Sequence, residues 1–155
     1  MADAKFTFQS IAPMLNYEDA GAMLDWLVRV FGFEERARYV DRNGVVRQAE
    51  LYVGAGQEVW VNGRDPGYWA KLGRGPDGGV VVFVDDPDAH HAHTLAAGVD
   101  APVPRDMDWG ARTYYLKDPQ GYGWSFLRRL PRGYVQSRSL EDGGLVEVKG
   151  RAFRP

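Results

Sequence analysis

The chain has no cysteine and only three histidines among its 155 residues. Without cysteine there can be no disulfide, no thiolate metal site and no cysteine nucleophile. No apolar run approaches the roughly 20 residues that a membrane-spanning helix needs, and Met1 to Gln9 lack the basic-then-apolar layout of a secretory signal. The expected location is therefore the cytoplasm, with no membrane partner. A strong charge of either sign is missing as well. With 19 Lys and Arg against 21 Asp and Glu the net charge is −2, so no concentrated basic surface exists to hold nucleic acid. Nucleophile-elbow, phosphate-loop and dinucleotide motifs are also absent: the glycine-rich stretch from Gly73 to Gly79 has neither their spacing nor a preceding strand.

What is present is an ordinary globular composition, 45% apolar and 26% charged, in a chain of the length of one domain. The charge is uneven. From Arg128 to Pro155 seven basic residues oppose three acidic ones, a balance of +4, which leaves −6 for residues 1–127. An acidic body favours cationic ligands by raising their local concentration, although a well-solvated acidic surface explains the same charge.

The two halves read alike. Each runs apolar strand, helix, then three strand-like stretches. The first helix opens at Asp19-Ala20 and closes at Gly32, and the second opens near Asp88-Ala89 and closes at Gly98. The closing glycines are 66 positions apart, as are the turn glycines Gly44 and Gly110, which marks a duplicated supersecondary unit. Met23, Leu24, Leu27, Val28 and Phe31 form the predicted buried stripe of the first helix. Asp85 and Asp86 before Pro87, with Gly98 at the far end, punctuate the second. Strands are predicted over Val45 to Val53, Glu58 to Val61, Val80 to Val84, Arg112 to Lys117 and Gly123 to Arg128. Asn62 to Gly79 reads as a connection in which Tyr68 and Trp69 form a lid, and Leu145 to Lys149 as an extra edge strand or an arm laid on a partner subunit, or else as part of a disordered tail.

Several segments in order resemble the vicinal oxygen chelate superfamily of glyoxalases, extradiol dioxygenases, fosfomycin-resistance enzymes and bleomycin-resistance proteins. They are Ile11-Ala12-Pro13-Met14-Leu15 running to Asp19, Trp26 to Phe33, Val82 to Ala89, Trp109-Gly110 and Asp118 to Phe126. The resemblance covers roughly residues 8–129. It implies an α+β fold: two tandem βαβββ modules, at about 8–63 and 78–129, whose curved mixed sheets surround a cavity and pair in a homodimer. Residues 64–77 would link the modules and 130–155 form a tail, within one domain. It also implies metal-ligand positions, which fall here on Ala12, Trp60, Gly79 and Ser125. Ala, Gly and Trp supply no donor for a divalent ion and Ser only a weak one, so neither metal nor cofactor is expected.

An indole at Trp60 points instead to stacking, as in the metal-free drug-binding relatives that the resemblance implies, with plain core packing as the alternative. Gln48, Glu50 and Tyr52 share one strand face, and Glu50 on it is a candidate to meet a cation or act as a base, or else is a paired surface carboxylate. Arg112 and Tyr114 are read as sharing a face of the corresponding strand in the second half, placed to orient an anionic or carbonyl group, with surface placement as the alternative. Phe83 and Trp109 complete the expected pocket wall, with packing in the turn beside Gly110 as the alternative for Trp109. Period-two alternation turns Trp124 to the helix side, and His90, His91 and His93 are expected on a solvent-facing helix surface. The leading expectation is a binding protein of the bleomycin-resistance type that sequesters a planar aromatic or cationic compound. The alternative is an enzyme of the glyoxalase/dioxygenase kind, a lyase or isomerase using Glu50 and Arg112 in the same cavity.

Overall fold

Helix α1, Ala20–Phe31, begins where the Asp19 side chain accepts from the Ala22 N–H, at 3.0 Å, and ends where Gly32 takes a left-handed φ of 75°. The computed structural model to which it belongs describes residues 6–131; the predicted strand or arm at Leu145 to Lys149 lies outside them. The other elements are β1 Met14–Tyr17, β2 Glu34–Val40, β3 Val46–Tyr52, β4 Glu58–Gly63, α2 Tyr68–Leu72, β5 Gly79–Phe83, α3 Pro87–Ala96, β6 Arg105–Met107, β7 Ala111–Lys117 and β8 Gly123–Arg129. No helix among the described residues is long and apolar enough to cross a membrane.

The chain divides into two compact units between Pro76 and Asp77. Each holds one open four-stranded mixed sheet, ordered β1-β4-β3-β2 in the first and β5-β8-β7-β6 in the second. In both, the first strand runs parallel to the last and all other pairs are antiparallel. The expected α+β fold of two βαβββ modules is thus the one observed.

In the first unit α1 lies over Leu15, Tyr17, Ala49, Leu51, Val59 and Val61, all buried. The helix contributes Met23, Leu24, Leu27, Val30 and Phe31; Val30, not the predicted Val28, completes the buried stripe. Each such side chain is worth about 1.5–3 kcal/mol on burial, so one stripe against one sheet face suffices to hold the layers together. The outer strand β2 is charged on both faces, with Glu34, Glu35, Arg36 and Arg38 all exposed. Tyr68 and Trp69 belong to the short helix α2, and the Trp69 N–H donates to Glu18 at 3.0 Å. The stretch read as a connection thus carries a helical turn held to its own unit at Glu18.

In the second unit α3 caps itself with Asp86, which accepts from the Asp88 and Ala89 N–H groups, and has Pro87 in its first turn. It covers Tyr114, Leu116, Trp124 and Phe126 on β7 and β8. Trp124 faces the helix, as the alternation predicts. Asp118 organises the turn that precedes it: Oδ1 accepts from the Gln120, Gly121 and Tyr122 N–H groups and Oδ2 from the Trp124 indole at 3.0 Å.

The histidines depart from expectation. His90 stacks on Phe126 with ring centroids 4.0 Å apart and pairs through Nδ1 with the Tyr114 hydroxyl at 2.6 Å, while buried His91 meets the Ala101 carbonyl oxygen at 2.9 Å. Only His93 is exposed. Burial pushes the Tyr114 phenol above its usual 10.0, against the hydrogen bond with Thr94, which lowers it. The folded state therefore keeps this proton longer than the unfolded chain. Its contribution to stability is complete below pH 10 and is lost as the pH rises through the folded value. The urea midpoint of the parent protein is accordingly expected to fall on the alkaline side more steeply than that of Tyr114→Phe; parallel slopes would refute this assignment.

Candidate functional site

The sheet face of the first unit that α1 leaves open is built from rows of directly opposed residues. Met14 stands beside Trp60, Trp60 beside Glu50 and Glu50 beside Ala37; in the next row come Asn16, Asn62, Gln48 and Tyr39, and Tyr52 lies between Glu58 and Glu34. Directly opposed residues share a face, so Gln48, Glu50, Tyr52 and Trp60 are brought together as expected from period two.

At the centre sits Glu50, 7% exposed. It is paired with the Arg36 guanidinium and receives the Tyr39 hydroxyl at 3.4 Å. Arg36 reaches on to Glu58 at 3.5 Å, and Glu58 accepts the Trp60 indole N–H at 2.8 Å. The Tyr52 hydroxyl, then the Glu50 charge, pushes Arg36 further toward its protonated form. One cation thus bridges two carboxylates, and the second carboxylate fixes the plane of a half-buried indole. Held this way, Trp60 offers a ring face with its polar atom already satisfied. With Glu34, Glu50 and Glu58 against Arg36, the strand positions of this face carry a negative balance. Sequence reasoning missed Arg36, Tyr39 and Glu58. The signal for Glu58 was its spacing of two from Trp60; that for Arg36 and Tyr39 required the pairing of β2 with β3.

Two expected residues point elsewhere. Arg112 grips Asp88 on α3 through two bonds of 2.6 and 2.8 Å and also holds Asp106 at 3.0 Å; these bonds pull Asp88 below the usual aspartate range. Tyr114 bonds His90 and Thr94 on the same helix. Both side chains therefore belong to the helix-covered face, which corrects their assignment to the pocket. The residue at the level of Glu50 is instead Tyr115, which opposes Ser125 as Glu50 opposes Trp60. Glu50, in turn, is an ion-paired carboxylate and not a free base. Phe83 is on the open face of the second unit, beside Leu127. Trp109 is half-buried in the β6–β7 turn, next to Gly110 with its φ of 93°.

The positions at which the resemblance implies metal ligands do not fit a divalent ion. Ala12 and Gly79 bring no donor, Ser125 brings one neutral hydroxyl, and the Trp60 nitrogen is a donor committed to Glu58. Among the described residues no group of three His, Cys, Asp or Glu is placed to hold an ion, and the nearest carboxylates, Glu50 and Glu58, already share Arg36.

A family model described as the Glyoxalase/Bleomycin resistance protein/Dioxygenase superfamily matches residues 8–126. Among solved structures, TioX from Micromonospora sp. ML1 is 35% identical, with a TM-score of 0.65 over 78% of this chain and 98% of that one. Two others share the fold at lower identity. A glyoxalase-related enzyme from Clostridium phytofermentans is 15% identical, with a TM-score of 0.65 over 81% and 98% of the two chains. The bleomycin-binding protein from bleomycin-producing Streptomyces verticillus, in complex with copper(II)-bleomycin, is 21% identical, with a TM-score of 0.58 over 78% and 96%. No curated protein matches the chain.

Proposed function

We propose, from the premise that the chain belongs to the Glyoxalase/Bleomycin resistance protein/Dioxygenase superfamily, that it is a small-molecule binding protein. It encloses a planar aromatic or cationic compound and lowers its free concentration, without a metal and without changing it, as a drug-sequestering resistance protein would. The observation that carries this reading is the Trp60 ring, fixed by Glu58 beside the Glu50–Arg36 pair on a face of negative balance. A flat ring face next to carboxylates attracts a delocalised cation through both its quadrupole and its charge. The same fold in a bleomycin-binding protein lends support. The working form is a homodimer, in which a second subunit closes the open faces. The alternative of a metal-free enzyme has less to stand on, because Glu50 is held by Arg36 and Arg112 by Asp88.

A planar cation such as N-methylacridinium is expected to quench tryptophan fluorescence and raise the melting temperature in proportion to its saturation. Trp60→Ala should weaken its binding about 10-fold or more, from a stacking and cation–π contribution of about 1.5–2 kcal/mol. Manganese, nickel and zinc ions should leave the melting temperature where it was. Absence of quenching by any planar cation, or unchanged affinity in Trp60→Ala, would sink the reading.

A further inference from the structure

On the open face of the first unit, the row next to Trp60 and Glu50 is neutral where theirs is ion-paired. Gln48 on β3 and Asn62 on β4 stand directly opposite each other in it, with Asn16 and Tyr39 at the two ends. Asn62 begins the stretch read from the sequence as a connection, yet it lies within β4, where its neighbour across the ladder is a second carboxamide.

The end residues are engaged. Asn16 Oδ1 accepts from Arg64 Nε at 2.8 Å, and the Tyr39 hydroxyl donates to Glu50 at 3.4 Å. Gln48 and Asn62 differ: each is half-buried, and neither side chain is bonded to another group among the described residues. Whichever way its amide is turned, each keeps a donor and an acceptor open. Water serves these groups while the face is bare. A flat molecule stacked on Trp60 changes that, because the amide row lies two residues further along the strands, roughly 6.6 Å away. A fused ring system over the indole spans that distance with one substituent and one hydrogen bond. Covering an amide without giving it a partner forfeits what water supplied, so a ligand that matches donor to acceptor is favoured and one that does not is rejected.

We propose that the compound stacked on Trp60 carries a carboxamide or lactam in the plane of its ring, and that Gln48 and Asn62 bind this group. The inference rests on the reading of Trp60 as a stacking platform and names the class of its ligand. The two residue types select that class. One carboxamide pairs head to tail with another, donating one N–H and accepting another, so Gln48 takes one edge of the ligand's amide and Asn62 the other. An ester or ketone only accepts, and leaves both side-chain carbonyl oxygens without a donor. A carboxylate has the same defect and adds charge to a face of negative balance.

Fluorescence titration of the full chain with three cations of one ring tests the assignment: 1-methylquinolinium, its 3-carboxamide and its 3-carboxylic acid methyl ester. The carboxamide is expected to bind about 10-fold or more tightly than the ester, from two added hydrogen bonds. Combining Gln48→Met with Asn62→Leu should bring amide and ester to about equal affinity while leaving the unsubstituted ring unchanged, and Trp60→Ala should weaken all three. If the double variant fails to fold, Asn62→Leu alone decides by lowering the amide-to-ester ratio. Equal affinity for amide and ester in the parent, or a ratio that these variants leave unaltered, overturns the proposal; binding of the unsubstituted ring then keeps the Trp60 reading standing. Failure of all three to bind, or of Trp60→Ala to weaken any of them, overturns that reading and this one with it.

Discussion

Trp124→Ala is expected to cost about 3–5 kcal/mol, the usual range for removing a fully buried large aromatic residue. The indole has no exposed surface, lies between the sheet and α3, and leaves the Asp118 Oδ2 atom without its donor when removed. Domains of this kind hold about 5–15 kcal/mol in total, so the substitution takes about a fifth or more of the margin. Urea unfolding followed by circular dichroism should show a midpoint lowered severalfold more than that of Trp124→Phe, which fills most of the volume and forfeits only the hydrogen bond. Similar midpoints for the two variants would mean that the cavity around Trp124 collapses, and that packing there is looser than the contacts imply.

The second large effect is expected at Asp118. One carboxylate oxygen accepts three successive backbone N–H groups and the other accepts the indole, in a residue only 4% exposed. Asp118→Ala removes the carboxylate that these donors share in a closed turn, while the Gly121 N–H keeps its bond to the main-chain carbonyl of residue 118, a loss of about 1–3 kcal/mol. Asp118→Asn makes the argument sharper, because its oxygen can keep the turn while its amide sets N–H groups against the Trp124 N–H. The asparagine variant should therefore fall between parent and alanine, and should lose nothing further when combined with Trp124→Phe. If asparagine matched the parent in the Trp124 background, the indole bond would have no role in stability.

How far this structure was legible in the chain depended on whether the chemistry was local. Asp19 and Gly32 mark the ends of α1 because a cap and a left-handed exit are satisfied by neighbouring residues. Trp124 was correctly turned inward by alternation alone. The faces of β7 were not, and the reason is a single residue. Gly44 and Gly110 lie 66 positions apart, but Val46 and Ala111, where β3 and β7 begin, lie 65 apart: Val45 has no counterpart. A shift of one exchanges the faces of a strand, so counting from the glycines put Arg112 and Tyr114 in the pocket and hid Tyr115. Strand β2 escaped bounds because Glu34 to Val40 shows no apolar alternation; pairing with β3 makes it a strand, and that pairing is tertiary. Arg36 was hidden with it. His90 and His91 were misread because polarity suggested solvent, whereas stacking on Phe126 and a carbonyl partner satisfy them inside.

The charge pattern of β2 has a consequence for how the molecule behaves in company. The strand lies at the rim of its sheet, where a free ladder of N–H and C=O groups would template another chain. A strand arriving there would have to draw Glu34, Glu35, Arg36 and Arg38 out of water, and with them the ion pairs to Glu50 and Asp25. Growth of cross-β aggregates along this side is thereby discouraged. Concentrated solutions should stay clear, and neutralising Glu34, Glu35 and Arg38 together should turn them cloudy before the melting temperature changes much.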